Sequence, residues 1–202
     1  MVRDGIYYAA GALAAGLLVV WLGLDWLAVP FFLFGAFCLW FFRDPERQVP
    51  DGPVAVAPAD GTVMSIVGEK PDLQRISIFL NVFDVHVNRT PVGGVIRDVE
   101  YHQGKFLIAS KEAASDENEQ NTVVVETADG VRVMFKQIAG LIARRIVFTR
   151  HTGDVLQTGE RIGLMKFGSR MDVLFGPEWE ITVKPRERVR AASSVIARRR
   201  DL

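Results

Sequence analysis

The chain has 202 residues, 49% of them hydrophobic, which suits one compact domain with an additional segment. Its 24 basic and 24 acidic residues balance, so the composition predicts no binding of nucleic acid. Cys38 is the single cysteine, which excludes an internal disulfide and a cysteine-based zinc site, and the three dispersed histidines predict no metal site.

The N-terminal part of the chain is apolar, and Asp25 is the single carboxylate of residues 5–42. One helix over residues 6–42 would be about 55 Å long at about 1.5 Å per residue, whereas the hydrocarbon core of a membrane is about 30 Å thick. A carboxylate at the centre of a membrane helix costs about 2.5–3.5 kcal/mol. The sequence therefore predicts a turn at Gly23-Leu24-Asp25 between two apolar helices, residues 6–22 and 26–42.

Basic residues flank this hairpin at both ends. Arg3 precedes the first helix, and Arg43 and Arg47 follow the second. By the positive-inside rule we expect residues 1–43 to anchor the chain in the cell membrane and residues 44–202 to lie on the cytoplasmic face. A shallow re-entrant hairpin bent at Pro30 is an alternative. A cleaved signal peptide is a second alternative, which the immediate second apolar run disfavours.

From residue 44 onward, short runs rich in Val, Ile and Phe alternate with Gly, Pro and Asp, which is typical of strands and turns. Helix is predicted only around residues 106–114 and in the arginine-rich tail, and residues 115–121 are predicted to form a loop. The pattern indicates a mainly β fold, a small β-sandwich or barrel-like domain behind the helical hairpin. Strands are predicted at residues 54–56, 62–67, 75–88, 123–126, 131–135, 142–148, 161–166, 171–175 and 180–183, with a hairpin turn at Asp129-Gly130.

A Gly-Ser pair lies in Lys166-Phe167-Gly168-Ser169-Arg170, between two predicted strands. A tight turn would account for the pair without any chemistry. A chemical interpretation requires the two residues in this order. Glycine permits a strained backbone and leaves its carbonyl open to attack, and the serine hydroxyl is placed for an N-to-O acyl shift.

Four separated motifs resemble those of the phosphatidylserine decarboxylase family. Phe167-Gly168-Ser169 is similar to the family's Leu-Gly-Ser-Thr cleavage motif, and Pro58-Ala59-Asp60-Gly61 is similar to its acidic turn. Asn118-Glu119 is similar to its Asn-Glu pair before a strand, and FLNVFDVHVNRTP at residues 79–91 is similar to its histidine strand. The motifs follow the family's order between about Arg43 and Val183. The apolar N-terminus and the short length resemble the compact branch of the family.

The resemblance implies that the chain cuts itself between Gly168 and Ser169. Attack by Ser169 on the Gly168 carbonyl, β-elimination and hydrolysis would leave a pyruvoyl group, the only cofactor implied, at residue 169. The products, residues 1–168 and 169–202, would remain together as a heterodimer, and we expect a further oligomer. The pyruvoyl group would form a Schiff base with phosphatidylserine, act as an electron sink when carbon dioxide leaves, and yield phosphatidylethanolamine.

The resemblance also implies roles for individual residues. Ser169, His86 and Asp60 match catalytic residues of the family. The long bacterial form carries a second histidine three residues after the first, and Arg89 occupies that position here. Either His86 serves both self-cleavage and decarboxylation, or another residue supplies the first base. Further candidates for contact with the substrate or with an anionic phospholipid membrane are Phe79, Arg89, His102, Arg144, Arg145 and the arginine-rich tail.

Other functions remain compatible with parts of the sequence. Leu164-Met165-Lys166-Phe167 resembles the Met-Lys hairpin of biotinyl or lipoyl carrier domains, in which Lys166 would be modified. The missing acidic residue before Met165 and the apolar hairpin disfavour that interpretation. A non-enzymatic membrane-anchored β-domain would leave Gly168-Ser169 and Asp60 without a role. The motifs concern headgroup chemistry, so an archaeal-type lipid with a serine headgroup is an open alternative substrate.

Overall fold

The computed structural model describes residues 2–109, 113–141, 145–166 and 168–200. Contacts between residues divide the chain into two compact units, Met1–Glu46 and Arg47–Leu202. The first is helical, and the regular structure described in the second consists of strands and one short helix. The predicted fold class, a mainly β domain preceded by an apolar helical hairpin, is confirmed.

The first unit is a helical hairpin of α1 (Arg3–Trp21) and α2 (Asp25–Phe41). Gly23, with φ +74°, forms the turn between them. Asp25 begins α2 instead of lying in the loop, since a carboxylate in the first turn of a helix interacts favourably with the helix dipole. The helices pack through small residues: Ala9, Ala12, Gly16, Ala28, Gly35 and Cys38 are buried. Helix α1 is long and apolar enough to cross a membrane, and α2 is shorter at 17 residues.

The described residues of the second unit form three antiparallel sheets. Eight strands form one curled sheet in the order β13-β2-β3-β11-β7-β6-β5-β9, and two three-stranded sheets have the orders β4-β10-β8 and β1-β14-β12. Their bounds are β1 (Val54–Val56), β2 (Gly61–Lys70), β3 (Leu73–Leu80), β4 (Val87–Arg89), β5 (Gly94–His102), β6 (Gln120–Glu126), β7 (Arg132–Ile138), β8 (Ile146–Phe148), β9 (Val155–Leu156), β10 (Arg161–Met165), β11 (Ser169–Phe175), β12 (Trp179–Ile181), β13 (Arg188–Val189) and β14 (Val195–Arg199), with a short α3 (Ala114–Glu117) before β6.

The core lies on one face of the eight-stranded sheet, called here the inner face. Alternate residues of neighbouring strands supply it, because side chains of a strand point to opposite faces in turn. Each such aliphatic or aromatic side chain stabilises the fold by about 1.5–3 kcal/mol when fully buried. The fully buried members on the four central strands are Ile76, Ile78, Leu80, Val123, Val125, Val133, Phe135, Met171, Val173 and Phe175.

The predicted strand over residues 75–88 is wrong as a single element. Strand β3 ends at Leu80, a turn follows, and β4 belongs to another sheet. In that turn the side chain of Asn81 accepts a hydrogen bond from the Phe83 N–H (2.7 Å), and the Asp84 carboxylate accepts one from the Asn81 N–H (2.9 Å). Such local side-chain bonds compete with the ladder bonds of a continuous strand.

Three further predictions of local structure need correction. The described part of the predicted helix over residues 106–114 is not helical before Ala114. The predicted loop over residues 115–121 contains most of α3 and the start of β6. The arginine-rich tail forms β13 and β14, since β14 pairs with both β1 and β12, and partners of this kind override weak local preferences. Part of the predicted strand over residues 142–148 lies outside the described residues.

Candidate active site

The Gly168-Ser169 junction lies where the chain leaves one sheet and enters another. Gly168 has a φ of +66°, a left-handed conformation that glycine adopts without steric cost. Ser169 is the first residue of β11 and pairs with Leu80 of β3. A Cβ at Gly140 would lie 1.9 Å from the Gly168 carbonyl oxygen, so only a glycine at position 140 leaves that carbonyl in place.

Ser169 belongs to the inner face of the sheet, because it alternates with Met171 and Val173 of the core. Its side chain is fully buried, and its Oγ has no hydrogen-bond partner among the residues that the structure describes. A buried hydroxyl without a partner costs about 1–3 kcal/mol. An unpaired buried polar group in a native protein requires an explanation, and a reactive role is one such explanation.

The topology brings His86 to the same junction. Strand β3 continues through the turn at residues 81–86 into β4, and the successive strands β10 and β11 pair antiparallel with β4 and β3 respectively. Ser169 pairs with Leu80 at one end, and the Met165 N–H donates to the His86 carbonyl (3.2 Å) at the other. The histidine turn and the Gly168-Ser169 junction therefore lie opposite each other.

The contacts of His86 determine its tautomer. Nδ1 lies 2.9 Å from the carbonyl oxygen of Asp84, and a carbonyl can only accept, so Nδ1 carries the proton and Nε2 is the basic nitrogen. The side chain is buried. The Asp84 carboxylate also accepts a bond of 2.6 Å from Arg188 of β13, which fixes the turn against the last part of the chain. The imidazole is thus held in one orientation.

Asp60 directly precedes β2 and has other partners than Ser169 and His86. Its carboxylate accepts two hydrogen bonds from Arg47 (2.9 and 2.8 Å) and one from the Ala191 N–H (2.8 Å). In residues 2–109, 113–141, 145–166 and 168–200 it bonds neither Ser169 nor His86. Ser169 and His86 thus lie on neighbouring, antiparallel parts of the chain, and the carboxylate of Asp60 is held in an ion pair with Arg47.

Comparison with known proteins relates this arrangement to a family. The family model for phosphatidylserine decarboxylase matches residues 34–197. The phosphatidylserine decarboxylase proenzyme of Solibacter usitatus (strain Ellin6076) is 62% identical over 203 residues, covering 100% of this chain and 98% of the relative. The chain belongs to the phosphatidylserine decarboxylase family.

Two further proenzymes of the same name are more distant relatives. That of Magnetococcus marinus is 44% identical over 189 residues, covering 88% of this chain and 86% of the relative. That of Syntrophus aciditrophicus is 42% identical over 200 residues, covering 95% and 94%. The likeness extends along nearly the whole chain, so it includes the junction, the histidine turn and the acidic turn of this family member.

The Asn118-Glu119 motif of this decarboxylase family member contacts the loop that packs against Gly168. Asn118 is buried, and its Nδ2 donates to the carbonyls of Leu107 (2.9 Å) and Ala139 (2.7 Å). Since Ala139 precedes the Gly140 that packs on the Gly168 carbonyl, Asn118 fixes the loop on which that carbonyl rests. The following Glu119 accepts a hydrogen bond from Tyr101, and burial together with this bond raises the pKa of Tyr101 to about 12.

None of the remaining predicted substrate residues that the structure describes forms a hydrogen bond with the Ser169 hydroxyl. Phe79 pairs with Arg170, so it lies on the outer face of the sheet, opposite to Ser169. Arg89 points away from the Asn88 side of β4 and donates to the Gly159 carbonyl (3.0 Å). His102 is exposed, lies 3.2 Å from the Glu100 carboxylate and lines a cavity of about 380 Å³. Arg145 is exposed, and Arg144 lies outside the described residues.

Sequence reasoning missed a buried charge network on the outer face of β11. Arg170 is fully buried and donates to Asp172 (2.6 Å) and to Ser77 of β3 (2.6 Å). Asp172, also fully buried, accepts bonds from Ser115 of α3 (2.8 Å) and Arg75 (3.3 Å). The available signal was the alternation of two charged residues with Met171 and Val173 directly after Ser169.

Proposed function

We propose that this family member decarboxylates phosphatidylserine after cutting its own chain between Gly168 and Ser169. The observation that carries the proposal is the buried Ser169 Oγ, which lacks a hydrogen-bond partner in the described part of the chain and follows a left-handed glycine. The curated relatives are named proenzymes, which agrees with a chain made as a precursor. A pyruvoyl group formed from Ser169 would supply an electron sink for the electrons released with carbon dioxide.

In the proposed self-cleavage, Ser169 Oγ attacks the Gly168 carbonyl carbon. The Gly168–Ser169 C–N bond breaks, an ester to Oγ forms, and the nitrogen gains the hydroxyl proton. A base then removes the α-proton of Ser169, and the Gly168 carboxylate leaves from the β-carbon. Water replaces the nitrogen of the resulting dehydroalanine, ammonia leaves, and a ketone remains at residue 169. The left-handed φ of Gly168 supports this path, because strained backbone conformations of this kind are found at functional sites.

We assign the proton transfers to His86. Its Nδ1–H is fixed by the Asp84 carbonyl, which leaves Nε2 as the basic atom. Asp60 can serve as a base only after its carboxylate separates from Arg47 and the Ala191 N–H. We therefore propose that Asp60 takes part in self-cleavage only after its carboxylate has separated from Arg47 and from the Ala191 N–H. Arg89 supplies no base, because a guanidinium is protonated throughout the working pH range.

The sheet explains how the two products would remain together. Strand β11 begins the shorter product and lies between β3 and β7, both of which belong to the longer product. The backbone ladders on both sides of β11 are independent of the 168–169 bond. We therefore propose a stable heterodimer of residues 1–168 and 169–202, in which residue 169 is held in place after cleavage.

We also propose that the apolar hairpin places this enzyme on the cytoplasmic face of the cell membrane, where its lipid substrate lies. Helix α1 has the length and composition of a membrane span, and large apolar side chains of both helices are exposed, including Trp21 (81%) and Trp26 (74%). Arg3, Arg43 and Arg47 support the cytoplasmic orientation by the positive-inside rule.

The carrier alternative has little structural support. A modified lysine lies at the exposed tip of a hairpin, whereas Lys166 is buried. Strands β10 and β11 do not form a hairpin, since β10 pairs with β4 and β8, and β11 pairs with β3 and β7. Lys166 therefore lies in a crossing between sheets.

Intact-mass analysis tests the proposed function. Purified wild-type protein should consist of residues 1–168 and 169–202, with the second fragment carrying a ketone in place of its amine. Ser169→Ala should remain a single chain and release no carbon dioxide from phosphatidylserine. Ser65→Ala, a serine of β2 outside the junction, is the matched control and should process and react as wild type does. Active wild-type protein that is one unbroken chain would refute the proposal.

A further inference from the structure

Two buried amide side chains, Gln137 and Asn121, lie on the same inner face as Ser169, and a third, Asn88 of β4, packs against that face. Gln137 alternates with Phe135 of the core on β7, and its backbone pairs with Met171 and with Asn121 of β6. Asn121 alternates with the core residue Val123, so its side chain also points inward. Gln137 and Asn88 are fully buried, and Asn121 is 3% exposed.

These amides form a chain of hydrogen bonds with one direction. Asn121 Nδ2 donates to Gln137 Oε1 (3.2 Å), and Gln137 Nε2 donates to Asn88 Oδ1 (2.9 Å). The chain ends on Asn88 Nδ2, a fully buried donor with no acceptor in the residues described by the structure. Because linked hydrogen bonds polarise one another, the two preceding amides strengthen this terminal donor. Only a hydrogen-bond acceptor can satisfy it.

The terminal donor lies close to the proposed chemistry. Ser169 is two residues from Met171 on the same face, so Ser169 and Gln137 are diagonal neighbours, about 7–8 Å apart in a regular antiparallel ladder. Asn88 is two residues from His86, and both are in the path that runs beside β10, where Leu164 pairs with Val87. Asn88 itself lies against the inner face, because its Oδ1 accepts the hydrogen bond from Gln137.

We propose that Asn88 Nδ2 binds an anionic oxygen of the serine headgroup of phosphatidylserine, with Gln137 and Asn121 as positioning residues. The proposal deepens the proposed function and rests on it. A serine phospholipid carries two groups of anionic oxygens, the carboxylate and the phosphate, and each accepts strong hydrogen bonds from an amide donor. A neutral amide also adds no positive charge beside His86, which must be unprotonated to act as a base.

The test uses full-length self-cleaved enzyme with phosphatidylserine in mixed micelles. Asn88→Asp keeps the oxygen that accepts from Gln137 and exchanges the donor for an acidic group, and Asn88→Ser is a second variant in case a buried carboxylate prevents folding. Both should cleave to completion by intact mass. Both should raise KM for phosphatidylserine by about tenfold or more, because they lose a hydrogen bond to a charged group. Asn121→Ala, at the far end of the chain, should raise KM less.

Inhibition by phosphatidylethanolamine, which has the phosphate and lacks the carboxylate, distinguishes the two sources of the anionic oxygen. In the Asn88 variants an unchanged inhibition constant assigns the carboxylate, and an increase that parallels KM assigns the phosphate. A KM within twofold of wild type in a fully cleaved variant would overturn the inference, as would a loss of self-cleavage without a change in KM of the cleaved fraction. Failure of wild-type protein to cleave and release carbon dioxide would instead overturn the proposed function.

Discussion

The two faces of strand β11 differ in how completely their polar groups are satisfied. On the outer face, Arg170 and Asp172 are fully buried and bonded to each other, with Ser77, Ser115 and Arg75 as further partners. On the inner face, the neighbouring Ser169 Oγ lacks a partner in the described ranges.

Ser169 and Arg170, although adjacent in the chain, therefore differ in whether their polar groups are paired. Buried charges are tolerated when they are paired, and such a network holds the strand in one arrangement. A buried hydroxyl that is left unpaired keeps its lone pairs available for reaction. The rigid network on the outer face of β11 can therefore hold a reactive group on its inner face in place.

The largest expected effect is on the outer face. Asp172→Asn should lower the free energy of unfolding by about 3–5 kcal/mol, because the buried Arg170 would lose its paired carboxylate and Arg75 would lose one of its two. Urea denaturation measures the change. Glu69→Gln removes a more exposed partner of the same Arg75 and is the matched control, with an expected loss of about 0–1 kcal/mol. Equal losses in the two variants would show that the network does not stabilise the strand.

On the inner face the expected effect is on turnover and not on stability. His86→Asn retains a donor that can reach the Asp84 carbonyl and removes the basic Nε2, so turnover of phosphatidylserine should fall by about 10²–10⁴-fold. The melting temperature should remain close to that of wild type. His151→Asn, at an exposed turn, is the control and should retain wild-type turnover. A His86→Asn variant with full activity would remove His86 from the site.

The smallest expected effect concerns the position of the Gly168 carbonyl, directly before β11. Gly140→Ala would place a Cβ 1.9 Å from the Gly168 carbonyl oxygen, so that carbonyl must move and self-cleavage should slow by about tenfold or more. The rate follows from the disappearance of the precursor band on denaturing gels. Gly68→Ala, where an added Cβ meets no atom within 4 Å, is the control. Cleavage of Gly140→Ala at the wild-type rate would show that the carbonyl position is not important.

Local sequence signals predicted the parts of the fold that short-range physics controls. The Asp129-Gly130 turn joins β6 and β7 as predicted, because a glycine at φ +81° favours a tight hairpin wherever it lies. The apolar hairpin followed from hydropathy and from the single Asp25. The strand predicted across residues 75–88 was wrong, because the side chains of Asn81 and Asp84 form a turn there.

By itself the sequence determined the mainly β fold class and the apolar hairpin, because each depends on residue type and near neighbours. Only the tertiary structure decided that Phe79 lies on the face opposite to Ser169 and that Asp60 is paired with Arg47. It also decided that Arg170 and Asp172 are buried partners, and that three distant amides form one chain. The physical reason is that sheet register joins residues far apart in sequence, and a shift of one residue moves every side chain to the other face.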